Sequence, residues 1–273
     1  MLVRIYAVGC WLALPLLVRA QAVNLGTAAS FGVLGGSAVT NTGPSVITGD
    51  VGVYPGTAIT GFPLTAPGRL TGSIHQTDAV ARQAQTDALT AYNTAAGLPV
   101  TPGATPVSGN ELAGLTLLPG VYKFGSSAFL SGALTLDAGG NPNARFVFQI
   151  GTTLVTSSAS TVTLIGGAQA CNVIWQVGSS ATLGTFSTFS GRILALTSIT
   201  ATTSANIVGS LIALNGAVTL DTNTINLGSC VVSPPPTIPT TTAPPSQSTT
   251  TATDSATVTG TGTGSGTVTG SGS

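Results

Sequence analysis

The chain has 273 residues, of which 42% are hydrophobic and only 5% charged, with seven basic residues against seven acidic ones. No basic patch exists, so the electrostatic footprint that nucleic acid requires is missing and that partner is excluded. Disorder of the whole chain is excluded too, because the apolar residues are numerous and strongly patterned; the surface must be built from Ser, Thr, Asn, Gly and Ala.

Residues 1–20 read as a secretory signal: Arg4 gives a positive start, Ile5 to Val18 is mostly apolar, and Val18-Arg19-Ala20 offers a small-residue cleavage site. The apolar run is too short for a membrane span, so a secreted, extracellular chain starting near Gln21 is expected, with no membrane partner. Cys10 leaves with the signal. Cys171 and Cys230 remain, and one disulfide between them is the default in an oxidising compartment. It would tie down the C-terminal end of the fold.

Residues 24–64 carry short apolar pulses (Phe31, Val33, Leu34, Val39, Val46, Ile47, Val51, Val53, Ile59) separated by Gly and Thr, which predicts short strands joined by turns. A helix follows, with Thr77 as N-cap, Asp78 in the first turn and Gly97-Leu98-Pro99 as its stop. Val80, Ala84, Ala88, Ala91, Ala95 and Leu98 mark one narrow small-residue face, which needs a flat apolar partner. The less regular segment 99–145 reads as a cap closing one end of the fold.

Four stretches then repeat one pattern: FVFQI (146–150), VIWQV (173–177), RILAL (192–196) and SLIAL (210–214). The last two intervals, 19 and 18 residues, are close to one turn of a wound β-solenoid. Val147, Ile174, Ile193 and Leu211 form one expected apolar column, and Ile150, Val177, Leu196 and Leu214 another. A strand apolar on both sides is covered on both sides, by the solenoid core and by the helix. Counted from the start of each repeat, Thr156, Thr182, Thr200 and Thr219 fall at matching offsets and form one outward ladder. Thr161, Thr188, Asn206 and Thr224 form a second, with Thr163, Ser190, Val208 and Asn226 outside again two residues later. High β-propensity alone would place Thr at exposed strand positions. The sharper reading is that Thr offers a methyl and a hydroxyl on a stiff χ1, ranked at the ~4.8 Å strand spacing, able to hold water in an ordered array.

From Ser233 the composition changes to Pro, Thr, Ser and Gly tracts that cannot form a core, predicting a disordered stalk at 233–273 bearing O-linked sugar. The folded domain is thus 21–232. Within it the one histidine, His75, has no partners for a metal site, and the acids are scattered singly rather than clustered as sugar hydrolysis needs. Trp175 falls in the helix-facing strand, where a core role outweighs sugar stacking. No catalytic residue, cofactor or metal is expected, and the chain is not read as an enzyme.

The stretches TNTGPSVITGDVGVYPGTAITGF (40–62), LLPGVYKF (117–124), LTLDAGGNPNARFVFQIGTTL (134–154), NVIWQVGSSATLGTFSTFSGRILA (172–195) and NGAVTLDTNTI (215–225) resemble the microbial and fungal ice-binding proteins. The resemblance covers nearly all of 21–230. It implies a mostly β fold, an irregular right-handed β-solenoid with one long α-helix along one face, whose N-terminal strands complete coils of the same stack. It also implies that one flat face adsorbs to ice. A loose Thr-Ala/Gly-x-Thr/Asn pattern tied to ice-facing strands in that family occurs at Thr57-Ala58-Ile59-Thr60 and Thr200-Ala201-Thr202-Thr203, which adds Thr57, Thr60 and Thr203 to the candidate ice-binding residues. The expected activity is therefore that of a secreted, monomeric ice binder giving thermal hysteresis and inhibiting recrystallisation. The alternative is a cell-wall or matrix adhesin displayed on its stalk.

Overall fold

The computed structural model describes residues 22–62, 69–102 and 108–230. The expected signal and stalk lie outside them. Six short strands come first: β1 (Phe31–Gly35), β2 (Ala38–Thr42), β3 (Val46–Ile47), β4 (Asp50–Val53), β5 (Ala58–Thr60) and β6 (Ile74–Gln76). Helix α1 (Ala79–Gly97) follows, then β7 (Thr116–Leu117), β8 (Gly120–Phe124), β9 (Ala128–Leu130) and β10 (Ala133–Asp137). The regular coils are β11 (Phe146–Ile150), β12 (Leu154–Thr156), β13 (Thr161–Ile165), β14 (Val173–Val177), β15 (Ala181–Leu183) and β16 (Thr188–Ala195). They end with β17 (Ile199–Ala201), β18 (Asn206–Ala213), β19 (Val218–Asp221) and β20 (Thr224–Asn226).

All ladders between these strands are parallel, as winding in one sense demands. The strands form a seven-stranded sheet and a thirteen-stranded one. The larger sheet bends where β16 and β18 pass through Gly191 and Gly209, whose φ values of 123° and 151° are open to glycine alone among common residues. A Cβ at Gly191 would also press on the Trp175 indole. The bend divides the larger sheet into two faces, so each coil has three sides. The first lies under α1, the second is the seven-stranded sheet, and the third completes the turn.

Chain order and stacking order differ. Strand β1 pairs with β18, β2 with β19 and β3 with β20, so the N-terminal coils sit on the C-terminal one. The chain must then travel from that end of the stack to the other before winding back. Helix α1 makes the journey: 19 residues reach about 28 Å, against about 34 Å for the eight strands of the first face at ~4.8 Å spacing. The resemblance implied that the N-terminal strands complete coils of one stack, and the pairing agrees.

Ala84, Ala88, Ala91 and Ala95 are buried against Val121, Val147, Ile174, Leu194, Ile212 and Leu34 of the first face, and Ala81 is buried as well. Alanine at 3- and 4-residue spacing lets the helix lie close on the sheet. Asp78, not Thr77, is the N-cap: its carboxylate accepts from the Ala81 N–H, while Thr77 holds φ of 56° outside the helix. Val80, expected on the packed face, is exposed, and Ala81 takes its place.

The apolar columns also shift by one residue from the sequence reading. Ile193 and Leu211 stack with Trp175 inside the solenoid, not with Val147 and Ile174, and Val177 pairs with Ala195 rather than Leu196. The repeat begins at Gly191 and Gly209, one position before the Arg192 and Ser210 that open the sequence repeats. Trp175 has the expected core role. It is fully buried, stacks on Phe148 with ring centroids 3.9 Å apart, and donates to the Ser190 carbonyl at 3.1 Å.

Segment 99–145 is more than a cap. Strand β8 pairs with β11 over five residues, and β10 with β13 over five, so this segment supplies a full coil. Capping is left to Thr101, bonded to the Val121 backbone, and to Leu112, whose N–H donates to the Phe129 carbonyl. The Cys171–Cys230 disulfide is formed, with Cα atoms 6.1 Å apart. It fastens the middle of the stack rather than an end, because β1–β3 cover the C-terminal coil.

Candidate functional site

The second face carries one outward column through all seven strands: Phe129, Val155, Thr182, Thr200, Thr219, Thr40 and Thr60, each in register with the next. Alternation fixes this direction. In β15 and β17 the central threonine is flanked by buried Ala181 and Leu183, or Ile199 and Ala201, and in β19 Thr219 lies between Val218 and Leu220. Beside it Thr153, Ser180, Ser198 and Ala217 are joined by the same ladder of backbone bonds, and Ala38 pairs with Ala58. From Thr182 to Thr60 the face is therefore narrow, flat and built from small side chains, and it is rigid, since every strand between its ends is bonded on both sides.

Charge is confined to its margins. Asp221 closes the β19 side, accepting from the Thr203 and Thr222 hydroxyls. Glu111 stands beyond β9. Burial pushes its carboxyl up, but the Ser131, Ala113 and Leu112 N–H groups outweigh this and hold it below the ordinary carboxylate range. Neither is a rung of the threonine column from Thr182 to Thr60.

The third face carries Thr161, Thr188, Asn206 and Thr224 in register, bounded by Ala133 and Val46. It is less regular. Strand β13 meets β16 at a single pair, and two residues on Ser190 is buried, donating to the Val162 carbonyl instead of facing out as expected. Its neighbour Val208 is half-buried, so the second outward column breaks.

Of the residues singled out from sequence, Thr182, Thr200, Thr219 and Thr60 are thus brought into one column. Thr40 belongs with them and was missed, although Val39-Thr40 repeats the apolar-Thr step of Ile199-Thr200 and Val218-Thr219. Thr156 does not belong: it is 3% exposed, and its Oγ1 accepts from the Gly184 N–H at 2.9 Å. Val155 occupies the outward position. Thr57 lies just before β5 with its carbonyl taken by the Gln76 amide. Thr203 sits in the turn after β17, tied to Asp221.

Against known proteins, the model of the Ice-binding-like family matches residues 33–226. An ice-binding protein from Nostoc sp. (strain HG1) is 56% identical over 211 residues, covering 77% of this chain and 76% of that one. One from Colwellia sp. is 38% identical over 75% of this chain and 83% of its own. Among solved structures, the ice-binding protein of the Antarctic ascomycete Antarctomyces psychrotrophicus superposes with a TM-score of 0.70 at 44% identity, over 77% of this chain and 100% of that chain. With a family match across the whole coil stack and relatives this similar along it, the chain belongs to the ice-binding-like family.

Proposed function

We propose that the chain binds ice through its second face, with Thr182, Thr200, Thr219, Thr40 and Thr60 as the docking column. The observation that carries this reading is the unbroken register of that column across a sheet whose strands hold one charged residue, Asp221 at the end of β19. Threonine rotamers are stiff, and strand spacing is fixed, so methyls and hydroxyls recur at one interval with no reorganisation on contact. Each contact is weak, and a rigid array sums them over the face. Adsorbed molecules leave the ice front curved between them, which lowers the local freezing point and blocks recrystallisation. No cofactor or turnover enters. The relatives named as ice-binding proteins support the ligand, and the broken second column favours this face over the third.

We place secretion, directed by residues 1–20, and a stalk at 233–273 in the same reading. The test is thermal hysteresis and crystal shaping by the full secreted chain in a nanolitre osmometer. Thr200→Tyr should abolish both while circular dichroism stays native, because a ring in the column centre prevents flat docking. Thr188→Tyr and Thr224→Tyr on the third face should leave both intact. The reverse pattern would move the site to the third face, and no effect of either would remove ice docking from both.

A further inference from the structure

The outward column of the second face is threonine for five rungs and then changes character. Its last two rungs are Val155 and Phe129, in register with each other and with Thr182. Both are exposed, 36% and 44% respectively. Valine ends at its γ carbons, as threonine does at its γ atoms, so Val155 keeps the height of the column and loses only the hydroxyl. A phenylalanine ring extends well past that level. The Phe129 ring cannot fold inward, because its neighbours Ala128 and Leu130 fill the inward positions and are buried. Nor is its backbone free to swing aside: the Leu112 N–H donates to the Phe129 carbonyl at 2.8 Å, Glu111 bridges to the same residue, and the other edge of β9 is bonded to β12.

We infer that Phe129 sets the length of the ice-binding footprint. Its ring stands above the threonine plane at one end of the stack and confines close docking to the rungs from Thr182 to Thr60. Val155 is the spacer rung between ring and array. This rests on the reading of the second face as the docking surface. Replacing the two apolar rungs with threonine enlarges the flat area from five rungs to seven, by roughly 1.4-fold at constant strand spacing.

Full-length Phe129→Thr, Val155→Thr and the double variant are compared with the unaltered chain for thermal hysteresis across a concentration series, with melting temperature as the folding control. Phe129→Thr should raise hysteresis and the double variant should raise it further, by at least ~1.4-fold. Val155→Thr alone should change little, since the ring still blocks the end. If Phe129→Thr costs stability, Phe129→Val, which matches Val155 in height and shape, carries the same expectation. Unchanged or reduced hysteresis from a natively folded Phe129 variant overturns the inference. Thr200→Tyr in the same series separates the two failures. If it kills activity while the Phe129 variants are neutral, only the footprint limit is wrong; if it too is silent, the docking face itself is wrong.

Discussion

A single residue separates the two sides of each short strand, and β12 shows what that step is worth. In Leu154-Val155-Thr156 the outer residues point in and Val155 points out. Thr156 is the polar member of an apolar interior because the turn at Gly184 on the next coil needs an acceptor for its N–H, and Thr156 Oγ1 supplies it at 2.9 Å. Thr156→Val keeps the shape and removes that acceptor, stranding a buried donor at a cost of about 1–3 kcal/mol. The melting temperature should fall by several degrees, with hysteresis unchanged wherever the protein is folded; lost hysteresis at native stability would restore Thr156 to the docking surface. The same strand marks a limit of reading by offsets. Columns of threonine were legible because Ile199-Thr200-Ala201 and Val218-Thr219-Leu220 alternate cleanly. Leu-Val-Thr alternates equally well in either direction, and only the pairing of Val155 with Thr182 decides it.

At the scale of the element, α1 was legible in its existence, length and packing face, since alanines at 3- and 4-residue spacing mark a helix laid close on a flat sheet. Its ends were not. The C-terminal carbonyls are met by a side chain far away in sequence: Gln149 Nε2 donates to the Ala95 and Leu98 carbonyls, both at 2.8 Å, across 54 and 51 residues. The apolar pattern of FVFQI and VIWQV marks strands and assigns no role to their glutamines. Gln149 is 5% exposed, and its amide ties the last turn of the helix to the first face. The end of a helix left without such partners frays. Gln149→Leu should cost about 1–3 kcal/mol and speed hydrogen exchange in the last turn of α1. Gln176, its neighbour in register on β14, makes no hydrogen bond to α1 among the described residues, so Gln176→Leu is the matched control and should leave that exchange alone. Equal effects from both would mean that burial of a polar side chain, not the bond to the helix, is what matters.

For the whole molecule the decisive fact is that the stack closes on itself out of sequence order. Thr40 and Thr219 are neighbours in the docking column at a separation of 179 residues. The spacing of repeats along 146–226 could not show this: the N-terminal coils turn at a similar interval, with Leu34 paired to Gly52 and Thr40 to Thr60, and a shared period does not say which coil stacks on which. One consequence is that the C-terminal coil is held on both sides: β18 by β16 and β1, and β20 by β18 and β3. The Cys171–Cys230 bridge then spans the three central coils, which carry Thr182, Thr200 and Thr219, and closes a loop of 59 residues. In the chain-entropy account a loop of that size is worth about 4 kcal/mol, through the unfolded state rather than through any native contact. Cys230→Ser should therefore lower the melting temperature by roughly 10 °C. Hysteresis near 0 °C should not change, because the parallel ladders above and below the central coils keep the column in register without the bridge. If hysteresis falls while the protein stays folded, the bridge shapes the docking face directly, and the stack alone is not enough to keep it flat.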